Sequence, residues 1–84
     1  MSTSPKRWSD AQGEHIDVRG LPPPQPLVAI LSLVREVQSA GGAVIVHFDR
    51  DPLGLYPELA ELGWHAERLD APAGMVRLKL ERDP

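Results

Sequence analysis

Leu21-Pro22-Pro23-Pro24-Gln25-Pro26 runs directly into Leu27-Val28-Ala29-Ile30-Leu31-Ser32-Leu33-Val34-Arg35-Glu36-Val37, and the join between the two stretches decides the fold. Each proline fixes its own φ and drives the residue before it out of the helical region, so the first stretch is a stiff, extended lead-in. Immediately after it, Leu27, Ile30, Leu31, Val34 and Val37 fall at the spacing of one helical face, while Arg35, Glu36 and Gln38 lie away from that stripe. Pro24 or Pro26 suits the first helical position, where an N–H is not required. Gly41-Gly42 supplies the C-terminal stop.

Upstream of this helix, Ile16 and Val18 alternate with Asp17 and Arg19, which predicts a short strand ended by Gly20. The polar residues 1–13, with Trp8 as their large apolar group, read as a flexible N-terminal arm whose tryptophan can dock on the body. Downstream, Ala43 to Phe48 is a continuous apolar run rich in β-branched residues, as in a central strand, and it stops at Asp49-Arg50-Asp51-Pro52. Leu55, Leu59 and Leu62 then repeat at helical spacing up to Gly63, with Pro57 in the first turn. Two strands close the chain, from Trp64 to about Asp70 and from Met75 to about Arg82. The order is βαβαββ. Right-handed crossovers put both helices on one face of a four-stranded mixed sheet, giving an α/β two-layer sandwich with a single domain over residues 14–84.

Composition narrows the function classes. The chain has 84 residues and no cysteine, so thiolate chemistry and disulfide staples are excluded and folding rests on apolar packing. A net charge of −3 with mixed signs offers no basic stripe for phosphates, which argues against nucleic acid. Apolar runs fall far short of the ~20 residues of a membrane span, and the N-terminus lacks a signal-peptide core, so a cytoplasmic protein is expected.

Asp17-Val18-Arg19-Gly20-Leu21-Pro22-Pro23-Pro24-Gln25-Pro26-Leu27 resembles the signature of the TusA/SirA sulfur-carrier family, in which Asp-x-Arg-Gly-Leu precedes Cys-Pro-x-Pro at the start of the first helix. The Gly41-Gly42 break, the apolar second strand, the Asp51-Pro52 turn and the closing hairpin agree, so the resemblance covers about residues 15–82. It implies the same βαβαββ two-layer fold. It also exposes a departure: Pro23 stands where the family's sulfur-accepting cysteine would be. A persulfide carrier needs a thiolate, and proline has neither a nucleophile nor an N–H. The resemblance is therefore to a cysteine-less branch with Pro-Pro-x-Pro in that place, unable to carry sulfur itself.

Arg19, Leu21, Pro23 and Gln25 form the candidate binding surface, with Arg19 as an anion partner and Gln25 as an amide donor or acceptor beside a helix N-terminus. The competing reading makes Arg19 a structural partner of Asp17 or Asp51. An alternative site for a metal or anion, with enzymatic potential, uses His47, Asp49 and Asp51 at the end of the central strand; a register that sets His15 beside His47 on one sheet face would favour two histidines plus a carboxylate. The third histidine, His65, lies near a different strand, and Asp51 before Pro52 is also ordinary turn chemistry. No nucleophile elbow, phosphate loop or motif-placed carboxylate pair occurs, so a catalytic role is not expected. Val28, Ala29 and Leu33 widen the apolar face of the first helix, which predicts either a deeply wedged helix or a homodimer patch. The sequence thus points to a non-catalytic interaction or ligand-binding module without a cofactor. Its partner is expected to be another cytosolic protein, in sulfur or redox metabolism by the resemblance.

Overall fold

The computed structural model describes residues 5–84, so the start of the expected N-terminal arm, residues 1–4, lies outside the described residues. In chain order the elements are β1 (Lys6–Asp10), β2 (Gly13–Asp17), α1 (Gln25–Val37), β3 (Val44–Phe48), α2 (Leu55–Leu62), β4 (Trp64–Leu69) and β5 (Val76–Arg82). The strands form one sheet in the order β1-β2-β3-β5-β4, with β2 and β3 parallel and the other neighbours antiparallel.

The sheet has five strands, not the four expected, because residues 6–10 form an edge strand instead of part of a mobile arm. All five residues of β1 are exposed, so the strand lacks the apolar alternation that identifies half-buried strands. It is held by other means. A two-residue turn joins it to β2, closed by Asp10 Oδ1 accepting the Gln12 N–H at 2.8 Å, and Arg7 makes two hydrogen bonds to Glu36 of α1, at 3.0 and 3.2 Å. Trp8 stacks on His15 and lies tilted over His47.

Alternation along each strand sorts residues between two faces. Ile16, Val18, Val44, Val46, Phe48, Leu78 and Leu80 meet Ile30, Leu33, Val34 and Val37 of α1 and Leu55 and Leu59 of α2 in one core cluster, so both helices cover the same face. Trp64, 2% exposed, joins this cluster. Leu33 is 1% exposed, and the added apolar width of α1 is mostly used in wedging the helix into the core; Val28, at 58%, is the exposed exception. The opposite face carries Trp8, His15, Asp17, Ile45, His47, Arg77 and Lys79 in adjoining register positions. No helix among the described residues is long and apolar enough to cross a membrane.

The proline run sets the entry to α1. Pro24 occupies the N-cap without a side-chain bond, its carbonyl accepts the Val28 N–H at 3.1 Å, and Pro26 falls in the first turn. The Pro23–Pro24 peptide bond is cis. Pro57 lies in the first turn of α2, where its missing N–H has no intrahelical partner to lose, and Gly63 closes that helix in the left-handed conformation, φ 77°.

Candidate functional site

The proline lead-in stands as a rim between two apolar grooves. One, of about 250 Å³, is lined by Pro5, Leu21, Pro24, Gln25, Val28 and Ala29. The other, of about 280 Å³, lies between the rim and the turn after β3, and Pro23, Pro24, Pro26, Leu27, Phe48, Arg50, Pro52, Gly54 and Leu55 surround it. Pro24 is common to both. The prolines of the rim have fixed φ angles, which stiffens the ridge between the two grooves. Gln25 and Arg50 are the polar side chains on the two walls.

Of the four residues that the sequence marks as a binding surface, Leu21 and Gln25 line the first groove and Pro23 the second. Arg19 lines neither. Its Nε and Nη2 donate to the two carboxylate oxygens of Asp17 at 2.9 and 2.6 Å, and its backbone N–H donates to Asp17 Oδ1 at 3.1 Å. These bonds from Arg19 hold the Asp17 carboxyl below the usual carboxylate range. Arg19 therefore fits the structural-pair reading, with Asp17 as its partner.

The alternative trio does not come together. Asp49 accepts from Arg50 Nε at 3.2 Å, and the Arg50 guanidinium lies 5.7 Å from the centre of the Phe48 ring. Asp51 accepts the Tyr56 hydroxyl and lies 3.7 Å from Arg68 Nη2. Burial first, and then the Asp51 carboxylate, push the Tyr56 phenol up to about 12. His65 faces Asp83, 2.7 Å away. Among the described residues, no group of three His, Cys, Asp or Glu is placed to hold a metal ion.

His47 belongs instead to a cluster on the open face of the sheet. The parallel register sets Asp17 beside His47 and Ile45 beside His15, and the two histidines meet on the diagonal. Nδ1 of His15 and Nε2 of His47 are 2.9 Å apart, with ring centres 5.2 Å apart and planes inclined by 23°. That centre-to-centre separation is what a contact of this length gives when both nitrogens lie near the line joining the ring centres. The rings thus meet head-on in one N–H···N hydrogen bond. The carboxylate that approaches, Asp10, is 2.9 Å from the far nitrogen of His15, Nε2, in an off-line contact, so the ligand directions of the three groups do not converge. Trp8 covers both rings, 4.9 Å from His15 at 14° and 5.1 Å from His47 at 33°. Burial, reinforced by the Arg77 and His15 charges, lowers the His47 pKa, and the close approach of the His15 ring lowers that of Asp10.

The sequence expects Trp8 to dock on the body, as it does, but misses the strand that carries it and the part that Asp10 plays, because both lie in a stretch read as an arm. The spacing of two between Trp8 and Asp10, ahead of Gln12-Gly13, is the signal that places them on one face of a hairpin strand. On the groove side, Phe48, Arg50 and Pro52 are missed because their nearness to the proline run depends on how β3 crosses to α1.

Comparison with known proteins agrees with this architecture. Among curated proteins, none matches the chain. A crystal structure of the SirA-like protein from Desulfitobacterium hafniense superposes with a TM-score of 0.71 at 25% identity, covering 83% of this chain and 97% of that one. The family described as "Uncharacterized conserved protein (DUF2249)" matches residues 15–82, which is the two-layer domain without its edge strand β1. With the family motif, the α/β order and the superposition in agreement, this chain belongs to the DUF2249 family, within the SirA/TusA-like group.

Proposed function

We propose that this chain is a non-catalytic interaction module that holds an extended segment of another protein across the proline rim of α1, with one apolar side chain in each flanking groove and an acidic group beside Arg50. The observation that carries the reading is the pair of apolar grooves on either side of Pro24. An apolar side chain buried in each releases about 25 cal/mol per Å² of surface removed from water, and the rigid rim loses little entropy on docking. Arg50 supplies the charge complement: its side chain is 66% exposed, and Asp49 engages Nε alone. Sulfur relay is not part of this function, because Pro23 takes the cysteine position and the chain has no other thiol. A cytosolic partner in sulfur or redox metabolism is in keeping with the family resemblance. That part of the reading rests on kinship rather than on the grooves.

The test is selection of peptides from a displayed random library on the full chain, followed by binding titration of the enriched sequences. The reading expects peptides with two apolar residues and a nearby Asp or Glu. It expects a Val28→Asp, Arg50→Glu double variant, shown to be folded by circular dichroism, to bind them at least tenfold more weakly. Failure to enrich any such pattern, or equal binding by the double variant, would overturn it.

A further inference from the structure

We propose that β1 is a proton-released strand: Trp8 closes over a His15–His47 pair with room for one shared proton, and a second proton on the pair detaches β1 from the sheet. The inference concerns the open sheet face and does not depend on the grooves. Its basis is geometry. Two ring nitrogens facing each other at 2.9 Å leave space for one hydrogen, so adding another sets two N–H groups and two positive charges head to head. The same spacing is too short for a metal between the nitrogens along that line, since each metal–nitrogen bond is about 2 Å.

The surroundings decide which way the strain is relieved. Around the pair stand Asp10 and Lys6 from β1, Asp17 from β2 with Arg19 beyond it, and Arg77 and Lys79 from β5. Asp17 is already committed to Arg19, and Lys79 to Glu81 at 3.7 Å. Arg77 raises the opposition to a charge on His47. Asp10 Oδ1 lies 2.9 Å from Nε2 of His15 on the β1 side of the pair, whereas the β5 side carries the cations Arg77 and Lys79. The rings can part toward solvent, and there they meet Trp8, on a strand whose residues are all exposed. Few buried contacts oppose its leaving. Once β1 has gone, the ring faces that Trp8 covers are open to water.

The sign follows from linkage. The His47 pKa is lowered with β1 docked, by burial first, and release of β1 lifts the part of that burial which Trp8 imposes, so the released state takes up a proton more readily. Between the pKa of the released state and the lower one of the docked state, the released form binds the extra proton. The opening equilibrium of β1 therefore grows as pH falls, by at most about tenfold per pH unit for one proton.

The experiment is amide hydrogen exchange of the full chain, resolved to β1 and β3 and corrected for intrinsic rates, at pH 7.5 and 5.5. The expected result is a loss of β1 protection of severalfold or more at the lower pH, with β3 unchanged and with the pH effect absent in His47→Gln. Equal β1 protection at both pH values would overturn the proposal, as would simultaneous loss in β1 and β3 or a pH effect that survives in the variant. If His47→Gln does not fold, a proton NMR titration of the wild type decides. The His47 ring resonance and the Trp8 indole N–H must then move with one shared midpoint, and separate midpoints refute the latch.

Discussion

Two glycines with positive φ separate backbone strain from steric exclusion, and comparing them tests how the β1–β2 hairpin is seated. Gly63, φ 77°, ends α2, and a Cβ added there meets nothing within 4 Å. Gly63→Ala therefore suffers the left-handed penalty alone, about 1 kcal/mol. Gly13, φ 137°, opens β2, and its added Cβ would lie 2.5 Å from the Ala43 carbonyl oxygen. That oxygen accepts the Glu14 N–H at 3.0 Å, the first bond joining β2 to β3. Gly13→Ala combines strain of about 1–3 kcal/mol with a forced shift of this carbonyl and a weakened bond worth about 1 kcal/mol. The sum is about 3 kcal/mol. At roughly 4–8 °C per kcal/mol for a domain of this size, the melting point should fall by about 5 °C for Gly63→Ala and by about 15 °C for Gly13→Ala. Urea denaturation followed by circular dichroism gives the same comparison in free energy. Equal losses at the two sites would show that the Ala43 carbonyl does not constrain Gly13, and would refute the tight seating of β2 against β3.

Leu33→Ala should destabilise the domain by about 2–5 kcal/mol in denaturant titration, because Leu33 is 1% exposed, whereas Val28→Asp should change stability by less than about 0.5 kcal/mol. A near-neutral Leu33→Ala would return that residue to an exposed association patch. The Tyr56 phenol, raised to about 12 by burial and then by Asp51, should resist ionisation in ultraviolet titration until well above the usual value near 10. Because its folded value lies above the unfolded one, the stability it contributes is complete below about pH 10 and is lost as pH rises toward the folded value; Tyr56→Phe should remove that part of the alkaline loss. Arg19→Ala should lower stability at pH 7 and flatten its fall in acid. Asp17 has a depressed pKa, so its contribution is present above the unfolded value of about 4 and is lost as pH falls through the folded one. An unchanged acid limb would show that Arg19 is not what holds Asp17 ionised.

The parts of the molecule legible in the sequence are those where one periodicity dominates. The stripe through Leu27, Ile30, Leu31, Val34 and Val37 marks α1, and Val76, Leu78 and Leu80 mark β5; these residues line one face of their element because burial imposes the pattern. The edge strand β1 escapes because nothing buries it: its hold on the sheet comes from Trp8 stacking, an Arg7–Glu36 bridge and a turn bond, none of which leaves a periodic trace. The same limit applies to the candidate sites. Pro23 and Gln25 announce the rim because local proline sterics act along the chain, but the wall contributed by Phe48, Arg50 and Pro52 depends on where β3 ends in space. His15 and His47 are 32 residues apart, and their facing nitrogens follow from a parallel register set by the crossover through α1. A shift of one residue in that register would turn His47 to the helical face and move Val44, Val46 and Phe48 out to the open one. The apolar residues of β3 thus help to fix the histidine pair by excluding the alignments that would turn them to water, and the polar cluster on the open face is a consequence of the core on the covered one.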